Sequence, residues 1–230
     1  MTIGIFLCSF LILKKARQIN LGFEEMIVVM AISLGAALFG AGLLYVLVSY
    51  PSEVLLDKIV NGEFDFLSEI GSVYYGGLIG GILGAIVALR WQKLDVKKVE
   101  QCVVPFLPLG HSIGRLGCLL AGCCYGFEYT GPLAVRSAFV IGKTLFPIQG
   151  VEALLNLKIM AILLLYIRKN RPSYHILALY LILYSIVRFS LEFFRGDLIR
   201  GSFLFLSTSQ WISVILLLVG IVVLCRKQEQ

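Results

Sequence analysis

The sequence predicts an all-α, polytopic membrane protein of about seven transmembrane helices, with its N-terminus outside and its C-terminus in the cytoplasm. Three observations carry this expectation. The 230 residues are 59% hydrophobic with a mean hydropathy of +0.91, whereas a soluble domain is nearer half apolar. Charged residues make up 15%, against roughly 25% in a globular protein. The basic residues behind the net charge of +6 gather in short clusters between apolar runs. That pattern marks the loops of a membrane protein, and it argues against nucleic acid as a partner.

A helix needs about 20 apolar residues to cross the hydrocarbon core. In chain order the runs are Thr2–Leu13 (short), Glu25–Val48, Ser72–Arg90, Cys102–Cys123, Phe146–Ile167, Tyr174–Phe194 and Ser207–Cys225. Gly4–Leu13 follows no charged segment and precedes no small-residue cleavage site, so it reads as a span and not as a cleaved signal. Lys14, Lys15 and Arg17 follow the first run, and Arg90, Lys93, Lys97 and Lys98 follow the third. Arg168, Lys169 and Arg171 follow the fifth, and Arg226 and Lys227 follow the seventh. These are alternate connections, so all four clusters share one side, which the positive-inside rule makes cytoplasmic. The other side receives Pro51–Gly71, with Glu53, Asp57, Glu63, Asp65 and Glu69, then Tyr125–Leu145 and Arg195–Leu206. Six spans satisfy the same rule if the first run does not cross. No repeat or low-complexity linker interrupts residues 1–230, which read as one integral membrane domain.

Ionisable side chains inside lipid are costly and mark function by default. Tyr180, Tyr184, Arg188 and Glu192 recur every four residues in the sixth run, a spacing that stacks them on one helix face. An internal Arg188–Glu192 pair is one reading of this stripe. The other is a polar pocket, since uncharged residues glue membrane helices more cheaply. The fourth run ends with Gly110, His111, Gly114, Arg115, Gly117, Cys118 and Gly122, followed by Cys123, Cys124, Tyr125 and Gly126. Its glycines allow close backbone approach, and Arg115 offers a planar fork of donors suited to phosphate. A helix-packing groove at Gly114 and Gly117 is the alternative, but it leaves Arg115 unexplained. Tyr74, Tyr75, Gly76, Gly77, Gly80 and Gly81 open the third run, and Pro147, Gln149 and Glu152 open the fifth. In the seven-span topology all of these elements face the outer leaflet.

Four patches in this order resemble the prolipoprotein diacylglyceryl transferase family. Tyr75-Gly76-Gly77-Leu78-Ile79-Gly80 is similar to a His-Gly-Gly-Leu-Ile-Gly motif. Gly114-Arg115-Leu116-Gly117-Cys118 through Gly126 resembles a signature that begins Gly-Arg-x-Gly-Asn and ends in glycine. Pro147-Ile148-Gln149 with Glu152 resembles Pro-x-Gln-x-x-Glu. Tyr184 through Arg188, then Glu192-Phe193-Phe194-Arg195, resembles the penultimate-helix motif. The resemblance implies transfer of diacylglyceryl from phosphatidylglycerol to a lipobox cysteine thiol of a prolipoprotein, in the bacterial inner membrane, with no cofactor and no metal. It implies that Arg115 and Arg188 hold the lipid phosphate and that Glu192 orients Arg188 or the acceptor. Tyr184 would donate a hydrogen bond and Gly126 would allow close approach. Tyr75, with Gly76, Gly77, Gln149 and Glu152, would complete the catalytic and substrate-binding set.

This chain departs from the family pattern in three places. Tyr75 stands where the family has histidine, and a phenol is a poorer general base than imidazole at neutral pH. Cys118 stands for the signature asparagine, and Gly42 or Leu43 for an arginine of the second span. His111 lies four residues before Arg115 on the same face. It either supplies an imidazole or is packed and bonded to a neighbouring carbonyl. Cys118, Cys123 and Cys124 match no common zinc spacing, with no obvious fourth ligand; they read as packing residues of an apolar helix, the alternatives being a bond from the adjacent pair to Cys118 or an attached acyl group. Two other functions stay open: a family member with another acceptor or lipid, and a non-catalytic lipid-binding or transport protein.

Overall fold

The structure is a computed structural model that describes residues 2–51, 54, 60, 61, 74–137, 139–168, 175–196, 202, 203 and 205–225. Among the described residues, eight α-helices and four short strands follow in order: α1 (Thr2–Gln18), α2 (Phe23–Ser49), α3 (Tyr74–Trp91), α4 (Val96–Val103), α5 (Leu107–Ala121), β1 (Val135–Ser137), β2 (Val140–Leu145), α6 (Ile148–Arg168), α7 (Ile176–Glu192), β3 (Ser202–Phe203), β4 (Leu206–Ser207) and α8 (Thr208–Cys225). Four helical stretches among the described residues are long and apolar enough to cross a membrane: Phe23–Ser49, Val96–Ala121, Ile148–Arg168 and Thr208–Cys225. Gly76–Trp91 is a shorter apolar helix, and α1 and α7 have 17 residues each. The acidic residues Glu53, Asp57, Glu63, Asp65 and Glu69 lie outside the described residues, as do Lys169, Arg171, Arg226 and Lys227.

The helices extend past the apolar runs where neighbouring residues are good helix formers. α1 continues through Lys14, Lys15, Ala16 and Arg17, all favourable in a helix, and stops where Asn20 takes a positive φ of 54°. The fourth run starts earlier than its apolar residues suggest, at Val96, and passes through a short 3-10 turn at Val104–Phe106. Pro105 and Pro108 account for that turn, since each removes a backbone donor. Large apolar side chains such as Phe6, Phe39 and Leu120, the last 90% exposed, point away from the protein. Such surfaces are stable against lipid and not against water.

By chain contacts the protein divides into two compact units, Met1–Lys15 with Lys97–Gln230, and Ala16–Val96. The second unit is dominated by α2 and α3. Ala36 and Gly40 on α2 meet Gly76, Gly80 and Gly84 on α3, spaced four apart so that the small residues form one seam. A Cβ on Gly80 would run into the Ala36 carbonyl oxygen, and one on Gly40 into the Gly76 carbonyl oxygen. In lipid no hydrophobic force draws helices together, so close backbone packing of this kind must supply the attraction. The two acidic residues in the first turn of α2, Glu24 and Glu25, complement the helix dipole. At the same end the Arg17 guanidinium lies 4.0 Å over the Phe23 ring.

In the first unit α7 packs on α8 and α6 on α5. Val104, Ile159, Leu163, Ile176 and Tyr180 form its buried core. The chain is mostly helical, in keeping with the all-α membrane fold expected, and its connections carry two small antiparallel hairpins, β1–β2 and β3–β4. Val135 pairs with Leu145 and Arg136 with Thr144, and the register shifts between Arg136 and Ser137. Val135, Val140, Ile141 and Thr144 are β-branched, which favours extended backbone. Single bridges join Gly126 to Arg195 and Glu128 to Leu145. Phe127, stacked on Phe146 at 5.4 Å, and Tyr129, edge-on to Phe146 at 5.4 Å, cover this platform.

Gly80→Leu is expected to lower the thermal unfolding temperature in detergent, by about 1–3 kcal/mol of stability typical of overpacking. Gly35→Leu is the control, since a Cβ there meets nothing within 4 Å, and it should leave unfolding unchanged.

Candidate active site

Three helices of the first unit bring the polar residues together. α6 carries Gln149, Glu152 and Asn156 on one stripe, and all three are buried, Asn156 completely. α7 carries Tyr180, Tyr184, Arg188 and Glu192, and α5 carries His111 and Arg115. Inside a low-dielectric interior a charge without a partner is prohibitively expensive. Each arginine accordingly has its carboxylate. Arg115 Nε lies 3.0 Å from Glu152 Oε1, and Arg188 Nη2 lies 2.7 Å from Glu192 Oε2.

The Arg188 pair is held by the start of α8. Ser207, Thr208, Ser209 and Gln210 form a capping box: Gln210 N–H donates to Ser207 Oγ at 3.2 Å, and Ser207 N–H donates to Gln210 Oε1 at 2.9 Å. The Ser207 hydroxyl in turn donates to Glu192 Oε1 at 2.8 Å. Arg188 Nη2 also donates to Ser209 Oγ at 2.9 Å. These contacts all use Nη2. Nη1 is buried and has no hydrogen-bond partner among the described residues, a donor available to an entering anion. Gln149 Oε1 and Asn156 Oδ1 are likewise buried acceptors without partners. Buried polar atoms left unsatisfied are uncommon and concentrate where a ligand binds.

His111 lies between two phenols. Its Nδ1 is 3.3 Å from the Tyr180 hydroxyl, and its ring centroid is 5.2 Å from that of Tyr184. The neighbouring carbonyl expected from the sequence is replaced by a tyrosine. Arg115, which pairs through Nε, lies near Tyr184 and Arg195. Among the described residues, a Cβ at Gly114 or Gly117 meets nothing within 4 Å.

The C-terminus of α5 is shaped by its glycine cap. Gly122 has φ 71°, and Cys124 also takes a positive φ, 56°. Ser137 Oγ donates to the Gly122 carbonyl at 2.6 Å, and Gln149 Nε2 donates to the Cys123 carbonyl at 2.6 Å. The sulfurs of Cys118, Cys123 and Cys124 consequently lie within 4.8 Å of one another. All three are half-buried and none is in a disulfide, so their sulfurs form a cluster. Burial raises the Cys124 thiol, but the hydrogen bond and charge of Arg195, with the charge of Arg115, outweigh it and leave the thiol below its ordinary value. Just beyond the cluster, Gly126 lies so close to neighbouring backbone that a Cβ would sit 2.7 Å from the Phe146 carbonyl oxygen and 3.0 Å from that of Phe194. Glycine is required there for packing of the platform.

Of the residues expected from the sequence, Arg115, Glu152, Gln149, Tyr184, Arg188, Glu192 and Gly126 all belong to the first unit. Gly76 and Gly77 belong to the second, Gly76 against the Gly40 backbone and Gly77 beside the Ala37 carbonyl. The Tyr75 side chain lies outside the described residues. Sequence reading passed over Asn156, although an amide four residues beyond Glu152 in an apolar run is itself a signal. It also passed over Ser207-x-x-Gln210, which has the spacing of a capping box.

The sequence profile of the prolipoprotein diacylglyceryl transferase family matches residues 1–226. Phosphatidylglycerol–prolipoprotein diacylglyceryl transferase 2 of Clostridium perfringens is 33% identical, over 95% of this chain and 85% of its own length. The Clostridium tetani enzyme of the same name is 31% identical, over 96% of this chain and 88% of its own. That of Dehalococcoides mccartyi strain BAV1 is 28% identical, over 100% and 89%.

Removing one partner of the Arg188–Glu192 pair leaves an uncompensated buried charge. Glu192→Ala should therefore destabilise the protein by about 3–5 kcal/mol. Combining it with Arg188→Met should restore much of the loss, read as unfolding temperature in a double-mutant cycle.

Proposed function

The chain belongs to the prolipoprotein diacylglyceryl transferase family, and we propose that it transfers the diacylglyceryl group of phosphatidylglycerol to the cysteine thiol of a lipobox segment. It is a transferase with a mostly helical, membrane-protein fold. The observation that carries the reading is the buried, unpartnered Nη1 of Arg188, on a guanidinium whose other edge is fixed by Glu192 and Ser209. A preorganised donor in a dry site is suited to an anion whose charge grows during reaction.

The chemistry follows from the charges. The acceptor sulfur attacks the glyceryl carbon bonded to phosphate oxygen. The carbon–oxygen bond breaks, and the electron pair leaves with glycerol phosphate, while the acceptor proton is released. The phosphodiester carries one negative charge and the departing monoester gains a second, so cationic donors bind the transition state more tightly than the substrate. Arg188 and Arg115 hold the phosphate oxygens. Glu192 and Glu152 orient them. Tyr184 donates to the bound lipid, and Gln149 steadies the turn leading to Gly126. At the opening of α3, Tyr75-Gly76-Gly77 stands where the family motif has His-Gly-Gly.

In the membrane we propose seven spans, formed by α1, α2, α3, α4 with α5, α6, α7 and α8. Lys14, Lys15 and Arg17 close α1, Arg90 lies in the last turn of α3 with Lys93 just beyond it, and Arg168 closes α6, and by the positive-inside rule these ends are cytoplasmic. The N-terminus is then outside and the C-terminus inside. The ends of α5 and α7 and the starts of α6 and α8, where the ion pairs lie, face the outer leaflet of the bacterial inner membrane. A phospholipid enters such a site from the bilayer, and an exported acceptor reaches it from outside.

Purified protein in lipid, given labelled phosphatidylglycerol and a lipobox peptide, should form a diacylglyceryl thioether visible by mass spectrometry. Arg115→Ala and Arg188→Ala should each lower the rate about 100-fold or more in protein that remains folded. A folded wild-type protein that forms no thioether would contradict the assignment of this acceptor.

A further inference from the structure

We infer that Cys118, Cys123 and Cys124 form a thiolate site for a thiophilic divalent cation of the zinc class, with its remaining coordination position open to the acceptor's thiol. The metal site stands on the geometry of this turn, and the open position rests on the function proposed above.

The three sulfurs lie within 4.8 Å of one another. Zinc–sulfur bonds of about 2.3 Å in a tetrahedral site place sulfurs about 3.8 Å apart, so the thiols close on a metal with movements of an ångström or less. The backbone is committed to this arrangement. Left-handed conformations at Gly122 and at Cys124, φ 71° and 56°, fold two consecutive cysteines back toward Cys118. A non-glycine residue in that region costs roughly 1–2 kcal/mol, a cost that packing of an apolar helix end would not demand. Ser137 and Gln149 hold the turn through the carbonyls of Gly122 and Cys123, and the Cys123 thiol makes a long contact of 3.8 Å to the Cys118 carbonyl that metal binding would replace.

Charge balance also favours a metal. Three thiolates around a divalent cation leave one net negative charge. Arg195, which hydrogen-bonds Cys124, and Arg115, whose charge reaches Cys118 and Cys124, offset it. The group contains three protein ligands among the described residues, and zinc sites with three protein ligands keep a fourth position for water or substrate. A thiol entering that position is deprotonated outright. The reaction needs a thiolate, and the nearby His111 already has its Nδ1 engaged by Tyr180. On coordination the acceptor proton passes to solvent. The sulfur then attacks the glyceryl carbon, the carbon–oxygen bond breaks toward glycerol phosphate, and the thioether, a weaker ligand, leaves. The cation stays divalent throughout.

The test uses full-length protein in detergent, stripped with chelator and titrated with Co(II). One equivalent should produce a thiolate-to-cobalt charge-transfer band that Zn(II) abolishes. Cys118→Ser, Cys123→Ser and Cys124→Ser should each weaken binding at least about 10-fold with unfolding temperature retained, whereas Cys225→Ser, an exposed thiol elsewhere, should not. A lipobox peptide should then shift the cobalt ligand-field bands, and the same peptide with serine for cysteine should not. Absence of the band, or its survival in the three serine variants, overturns the metal site. A band unmoved by the peptide overturns the open position. The cobalt spectrum does not depend on turnover, so binding without any phosphatidylglycerol-dependent product would remove the proposed function and leave the metal site. Full turnover by chelated, metal-free protein would leave the proposed function and overturn the open position for the acceptor's thiol.

Discussion

A guanidinium buried in a protein that lipid surrounds cannot lose its proton and cannot be left alone. Arg188 is 7% exposed, and much of the first unit is arranged around that fact. Glu192 follows one helical turn later to neutralise it. Ser207 fixes Glu192, and the same hydroxyl caps the first turn of α8. Ser209 then takes a second bond from the guanidinium. A chain of contacts from Arg188 to the start of α8 thus sets how α7 and α8 meet at this end. Arg115 and Glu152 do the same for α5 and α6.

Stability alone does not account for the arrangement. An apolar pair of similar volume generally serves a buried core as well as an ion pair does. What the ions add is a set of donors that point where the protein offers no acceptor. Arg188 Nη1 is such a donor, and it is rigid because its neighbour Nη2 is held twice. The cost of ordering it has been met in folding, so it is not met again when a phosphate arrives. The platform of Gly126, Phe127, Phe146 and Arg195 extends this rigidity to the turn that carries the cysteines.

Much of this was legible in the sequence because lipid makes polar residues conspicuous. The spacing of Tyr180, Tyr184, Arg188 and Glu192 gave the stripe on α7. The two alternatives for it turned out to be compatible: the pair is internal, and one guanidinium nitrogen is still unpaired. The partner of Arg115 was not legible, since nothing local in α5 indicates a carboxylate on α6. The hairpins were missed because strands of two, three and six residues, broken by Gly142 and by a register shift, carry too little alternation to separate them from loop. The glycines at the start of α3 looked like those of α5, yet Gly76 and Gly80 meet a helix backbone while Gly114 and Gly117 meet open space. Glycine content alone does not distinguish close packing from an open face. The grouping of Cys118 with Cys123 and Cys124 depended on a left-handed cysteine that no propensity scale anticipates.

The central claim is that the arginines act on charge that grows as glycerol phosphate departs, beyond merely holding the lipid. The direct test is to measure, in Arg188→Ala, both the affinity for phosphatidylglycerol and the single-turnover rate of thioether formation at saturating lipid. The account predicts that the rate falls by a much larger factor than the affinity. An affinity loss with the saturated rate unchanged would contradict it, because Arg188 would then bind substrate and transition state alike.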